Sequence, residues 1–364
     1  MVRMAPAEFR ALVEQYPDPY LRQTLGQAQA VESAEWNGDR AHVRVVLGFP
    51  VGDYREEFTR DLQAFCASRG GPAEIDVELH AMITSHAVQR QLSPSAGIRN
   101  IVAVASGKGG VGKSTVAANL ALAWAHQGAR VGILDADIYG PSQPIMLGLV
   151  GQHPTSPDDK VMNPLKAHGI AAMSIGFLID PEQPMVWRGP MVTQALTDLL
   201  TRTVWGELDY LVIDMPPGTG DIQLTLSQRV PVAGAVIVTT PQDIALADAR
   251  KGLKMFEKVN VPVLGIVENM SVHVCGNCGH VEHLFGSGGG ARMAAQYGVE
   301  LLGELPLDAR VREEADGGAP TVVAAPGSPH AAPYFTMARR TAAALARRAK
   351  DRSKLFPKIV VEES

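Results

Sequence analysis

Gly107-Lys108-Gly109-Gly110-Val111-Gly112-Lys113-Ser114-Thr115 is the stretch that decides the fold. It matches the pattern G-x-x-x-x-G-K-[ST], a phosphate-binding loop. Its neighbours are those the chemistry needs. The apolar run Ile101–Ala105 precedes it, and a helical pattern from Ser114 to Gln127, stopped by Gly128, follows. Glycines let the backbone curl until successive N–H groups face one anion, and the helix N-terminus adds its positive dipole end. In this reading Lys113 meets the β- and γ-phosphates of ATP, and the Ser114 hydroxyl ligates Mg²⁺.

Further apolar runs follow at Val131–Leu134, Leu211–Ile213, Ala235–Val238 and Val263–Val267, with helical patterns between them, such as Asp243–Val259. Continuous rather than alternating hydrophobicity marks strands buried on both faces of a parallel sheet. The expected architecture is therefore α/β, a doubly wound, mostly parallel P-loop NTPase domain. Ligands of such sheets sit at the carboxyl ends of the strands. Asp135 and Asp137 close one run and Asp214 closes another. Each is a candidate for the metal side of the site, and each is alternatively a helix cap. Asn269 follows the last run; its amide either pairs with a base edge or forms a turn.

Upstream, Val43, Val45 and Leu47 alternate with polar residues, as do Ile75, Val77 and Leu79, and Phe58, Leu62 and Phe65 recur at helical spacing between them. Residues 1–90 thus read as a small α+β domain with an antiparallel sheet. Residues 91–97, with Pro94 and Gly97, read as a linker, 98–350 as the ATPase domain, and 351–364 as a C-terminal tail. Within 317–333 the Ala, Pro and Gly content suggests stretches of disorder.

With 46% hydrophobic and 20% charged residues, the 364-residue chain can bury an ordinary core. A net charge of −5 gives no global attraction for nucleic acid or anionic lipid. No apolar run reaches the roughly 20 residues that span a bilayer, and no apolar signal core opens the chain. A cytoplasmic protein without nucleic-acid or membrane partners is expected. The basic segment Ala338–Lys354 presents mostly alanine on its apolar side, which suits a solvated helix packed on the domain better than a membrane anchor.

Of three cysteines, Cys66 lies in the N-terminal helical pattern, while Cys275 and Cys278 form a CxxC flexed by Gly276 and Gly279. Two thiolates are half of the usual four-ligand set. The rest comes from His273, His280 or His283, which makes a zinc knuckle, or from a second chain, which makes a bridged cluster; a redox dithiol is the third reading.

Lys108 exceeds what an ordinary P-loop needs, and a free cation there can act as an arginine finger does. The run Lys108–Thr115 resembles the deviant P-loop of the MinD/ParA group. Within that group, Leu134–Ser142, Trp187–Met191, Asp214–Asp221, Thr239–Gln242 and Val267–Ser271 resemble the Mrp/ApbC family of iron–sulfur cluster carriers. The likeness covers about residues 98–345. Tyr16–Tyr20 is similar to the MIP18-like domain often fused to that family, although no cysteine stands in Gly48–Gly52, where some relatives have one. The resemblance implies a homodimeric ATPase of low intrinsic rate that carries a 4Fe-4S cluster to apo iron–sulfur proteins. It implies that Lys108 is the lysine donated across the dimer, that Asp137 positions the attacking water, that Asp214 serves the Mg²⁺ shell, and that Asn269 contacts adenine. It also lends the bridged cluster at Cys275 and Cys278 most of its weight. The competing reading is a positioning ATPase of the MinD/ParA kind with a structural zinc or redox CxxC.

Overall fold

A computed structural model of the chain describes residues 5–37, 40–89, 92–158, 160–179 and 189–351. The tail from 352 onward lies outside these residues, as do Trp187 and Arg188.

The phosphate loop is held by the central strand of a large sheet. Strand β4 (Ile98–Ser106) pairs in parallel with β8 (Leu208–Asp214) on one side and with β9 (Gly234–Thr239) on the other. Outward from β8 lie β5 (Val131–Asp135) and β7 (Ile170–Ser174), both parallel, then the antiparallel edge β6 (Leu165–Ala167). Outward from β9 lie β10 (Val263–Val274) and β12 (Glu300–Pro306), again parallel. Strands β5, β8 and β9 are buried at every position, as continuous apolar runs predict. Helices cover both faces, including α3 (Lys113–His126), α5 (Gly189–Arg202) and α7 (Asp243–Lys258). The α/β architecture expected from the sequence is the one observed.

The N-terminal region carries its own three-stranded sheet, β1 (Val31–Trp36), β2 (Ala41–Leu47) and β3 (Asp76–Ala81). It is mixed rather than antiparallel: β1 and β2 run antiparallel, but β2 and β3 run parallel. The reason is the 13-residue helix α2 (Arg55–Ala67) between them, since a helical crossover returns the chain in the same direction.

This region packs directly onto the large sheet's helices. Asn100 of β4 accepts from the His86 backbone N–H at 3.1 Å and bonds the His86 ring at 2.9 Å. Burial holds that imidazole below its ordinary pKa. Just before the expected linker, the Gln89 amide donates to the Ser227 and Val230 carbonyls at 2.8 and 3.1 Å and accepts from Val232 N–H.

The C-terminal helix also departs from expectation. It spans Ala332–Ala346, ends before most of the basic residues, and is buried rather than solvated. Its alanines let it approach α3 closely enough for the Trp124 indole to donate to the Ala338 carbonyl at 2.8 Å. Arg339 is only 5% exposed. It meets Asp53 at 2.9 Å, Glu57 at 3.4 Å and the Tyr20 hydroxyl at 2.7 Å, and lies over the Tyr20 and Tyr54 rings. These contacts reach from the C-terminal helix to the N-terminal region, so the basic residue at the centre of this helix serves the seam between the two sheets. The stretch 317–333 is ordered, with helix α10 (Thr321–Ala324) held by a Thr321–Glu314 hydrogen bond of 2.7 Å. Among the described residues no helix is long and apolar enough to cross a membrane.

Candidate nucleotide site and cysteine hairpin

The loop Gly107–Gly112 leaves β4 and turns into α3 at Gly112, whose φ of 78° is a left-handed conformation that favours glycine. Gly110 has φ 81°. Close approach adds a second constraint. A Cβ on Gly107 would lie 2.1 Å from the Asp248 backbone, and one on Gly112 would lie 2.2 Å from the Asn269 amide nitrogen. The loop is clamped from beneath: the Ser106 hydroxyl donates to the Lys108 carbonyl at 2.8 Å, and Asn269 Nδ2 donates to the Val111 carbonyl at 2.9 Å. Gly109 and Gly110 remain exposed at the mouth. Thr115 sits one step into α3, its carbonyl accepting from Asn119.

The charged groups gather where the sheet topology places them, at the carboxyl ends of β4, β5 and β8. Lys113 is 6% exposed and pairs with Asp214, itself fully buried. The Lys113 ammonium also lies 3.0 Å from Ser114 Oγ and 3.9 Å from Asp137. Burial raises the Asp137 carboxyl, an effect that Lys113 opposes. Lys108 pairs with no carboxylate among the described residues and stays partly exposed at the loop's rim.

Asp135 is placed differently from the other acids. One oxygen accepts from Asp137 N–H at 3.1 Å, the other from Ser142 N–H, Gln143 N–H and the Ser174 hydroxyl at 3.0, 3.1 and 3.2 Å. Burial, with Asp214 adding repulsion, pushes its carboxyl up to about 7. All but the Ser174 bond face the loop 137–143, so Asp135 orders that loop. Gln143 is the residue sequence reasoning missed. It opens the short helix α4 (Gln143–Met146), is 1% exposed, and its Nε2 bridges the Ser114 carbonyl at 3.1 Å and Asp214 Oδ2 at 3.0 Å. The only signal was its place directly after Gly140-Pro141-Ser142, a turn into a helix start.

The residues fit a nucleotide and a divalent cation. Gly107 and Gly112 let the loop pack tightly on Asp248 and Asn269 behind it, and the Ser114 hydroxyl and Asp214 carboxylate, both hard oxygen donors, converge beside Lys113.

The cysteine pair lies in the turn that follows the strand carrying Asn269. Strand β10 continues past Asn269 through a bulge at Met270, a non-glycine residue with φ 56°, and folds into a hairpin with β11 (Val281–Glu282). Cys275 lies six positions after Asn269, at most about 20 Å of extended chain. The turn is closed by Cys275 N–H to the His280 carbonyl and Gly279 N–H to the Cys275 carbonyl, both 2.9 Å, with Gly279 at φ 70°. Cys278 is exposed and Cys275 half-exposed. N–H groups of Cys278 and Asn277 hold the Cys275 thiol below its ordinary range, whereas burial pushes Cys66 up to about 11. The first is the more easily ionised thiol and the second a core group. The histidines do not complete a site. His273 and His283 donate from Nδ1 to the Leu307 and Ser271 carbonyls, each at 3.1 Å, and His280 lies 3.9 Å from Glu282. Among the described residues no three His, Cys, Asp or Glu side chains converge as a metal site.

A glycine cradle on the central strand of a doubly wound parallel sheet, with a buried lysine and strand-end carboxylates at its mouth, defines a P-loop NTPase. Residues 97–342 match the ParA family profile described as "NUBPL iron-transfer P-loop NTPase", and the chain belongs to that family. It is 62% identical over 278 residues to the iron-sulfur cluster carrier protein of Pseudomonas fragi, covering 76% of this chain and 97% of that one. It is 52% identical over 346 residues to the protein so named in Escherichia coli K12, covering 94% of each. Among solved structures, a nucleotide-binding protein of Archaeoglobus fulgidus in complex with ADP superposes with a TM-score of 0.55 at 44% identity, covering 61% of this chain and 87% of that chain.

Proposed function

We propose that this protein is an ATP-dependent iron–sulfur cluster carrier that works as a homodimer, holds a 4Fe-4S cluster as cargo between two Cys275/Cys278 pairs, and passes it to apoproteins. The observation that carries this reading is strand β10, which holds a P-loop clamp at Asn269 and leads directly into the turn bearing half-exposed Cys275 and exposed Cys278. Half a ligand set per chain supports a site shared by two chains, and the P-loop faces outward where a second copy could meet it. The relatives named as iron-sulfur cluster carriers support the cargo.

In the nucleotide half, Lys113 leaves Asp214 for the β- and γ-phosphates when ATP enters. Ser114 and Asp214 hold Mg²⁺, which when bound neutralises phosphate charge. Asp135 braces the loop that carries Asp137, and Asp137 orients the attacking water. Asn269 keeps the loop in register and offers its amide edge to adenine. The hydrolysis rate is low until Lys108 of the second copy reaches the γ-phosphate.

Two experiments test this. Anaerobic reconstitution should give two irons and two sulfides per chain on a species of dimer mass; zinc in place of iron, or a full cluster on a monomer, would overturn the shared site. For the nucleotide half, Lys108→Ala and Asp137→Ala variants should each be inactive alone. Mixed one to one they should recover about a quarter of wild-type activity, because half the dimers are mixed and each has one competent site. No recovery on mixing would place Lys108 in its own site.

A further inference from the structure

We infer that Gln143 is a positioning residue of the Mg²⁺ shell: its Nε2 holds Asp214 in register with Ser114, and its Oε1 accepts a hydrogen bond from a metal-bound water. The inference rests on the Mg·ATP reading above and adds to it a residue outside the P-loop motif.

The side chain is 1% exposed, and its amide nitrogen bridges the Asp214 carboxylate and the backbone carbonyl of Ser114, the residue whose hydroxyl is assigned to the metal. Nε2 donates to Asp214 Oδ2 at 3.0 Å and to the Ser114 carbonyl at 3.1 Å. Asp214 Oδ1 faces the Lys113 ammonium. Its two oxygens are therefore divided, one fixed by Gln143 and one facing the cation that leaves when phosphate arrives. A carboxylate held through one oxygen presents the other in a fixed direction, which is how groups behind a metal ligand set its geometry.

The second half of the argument is an unmet polar atom. Gln143 Oε1 is buried and has no hydrogen-bond partner among the described residues, and neither has the neighbouring Ser142 Oγ. Burying a carbonyl oxygen without a partner is unfavourable, so such an atom asks for an explanation. Oε1 belongs to the amide whose nitrogen touches both Ser114 and Asp214, so it lies beside the cation position. Mg²⁺ keeps several waters when it binds through one or two protein oxygens. Those waters are strengthened donors, and a buried amide oxygen is a suitable acceptor. The backbone fixes the arrangement, because Gln143 N–H donates to Asp135 at 3.1 Å and so ties the start of α4 to the end of β5.

The test uses the full-length protein with Gln143→Met, similar in shape but without the amide, and Gln143→Glu, which turns the donor facing Asp214 into an acceptor. Two quantities are measured: the Mg²⁺ concentration giving half-maximal ATPase activity, and ADP affinity by calorimetry with Mg²⁺ and with EDTA. Gln143→Met should raise the half-saturating Mg²⁺ about tenfold and weaken ADP binding in Mg²⁺ by a similar factor, while leaving the EDTA affinity within about twofold. Gln143→Glu should show the same selective loss, larger at neutral pH. Wild-type Mg²⁺ dependence in both variants overturns the inference. So does an equal loss of ADP affinity with and without Mg²⁺, which would mark Gln143 as a structural prop. If the wild-type protein itself binds ADP equally with Mg²⁺ and EDTA, the Mg·ATP reading fails, and this inference with it.

Discussion

Lys113→Ala is expected to abolish ATP hydrolysis and to weaken ATP binding by about 100-fold or more. Two phosphate contacts from a buried ammonium are charge-assisted, each worth about 1.5–3 kcal/mol, and every 1.4 kcal/mol is tenfold in affinity. The structure adds a second loss. Lys113 is the partner of buried Asp214 and lies near Asp137, while Asp135 is already pushed up to about 7 by burial and Asp214. Without the cation, Asp214 loses the partner that fixes its Oδ1 in a water-poor corner, so the variant should lose the metal response as well as the phosphate contact. Arginine should not rescue it, because its planar fork does not fit a cavity shaped for one ammonium. Calorimetry with Mg·ATP and phosphate release are the readouts; wild-type affinity in Lys113→Ala would remove Lys113 from the phosphate site.

The sequence carried the five central strands but not β6, β7, β11 or β12, because only strands buried on both faces leave unbroken apolar runs. Val131–Leu134 and Ala235–Val238 each grew by one residue or two in the structure. Strand β10 is the exception: its visible run ends at Val267, yet pairing continues to Val274 because the bulge at Met270 changes which face its residues meet. The P-loop was legible because phosphate binding constrains backbone, and backbone constraint is written as glycine. Gln143 and the bracing role of Asp135 were not, since both depend on which backbone N–H groups a side chain meets after the chain has turned. The fate of Arg339 was hidden for a related reason. A run of basic residues looks solvated until a second element brings Asp53 and Tyr20 against it, and those residues lie some 280 or more positions away in sequence.

Ser substitution of Cys275 or Cys278 is expected to remove the cluster completely and with it the dimer's added stability, while leaving ATP binding within about twofold of wild type. Each chain offers two thiolates from one tight turn, and a four-iron cluster takes four. A two-fold axis through the hairpin tips is the symmetric way to supply them. Binding that requires both chains stabilises the dimer by linkage, by about 2.7 kcal/mol when cluster exceeds its dissociation constant 100-fold. Cys275, whose thiol is held low by the N–H groups of Cys278 and Asn277, should engage iron first. The serine hydroxyl keeps the size of the side chain but cannot supply a thiolate at neutral pH, so the turn should fold while the metal is lost. Cys66→Ser is the control: its thiol is buried and pushed up to about 11, so the change should lower thermal stability without touching iron content. Iron per chain is measured beside mass in solution, under anaerobic conditions, for all three variants. Full cluster retention in Cys275→Ser, or cluster loss in Cys66→Ser with its fold intact, would place the cargo elsewhere in the molecule.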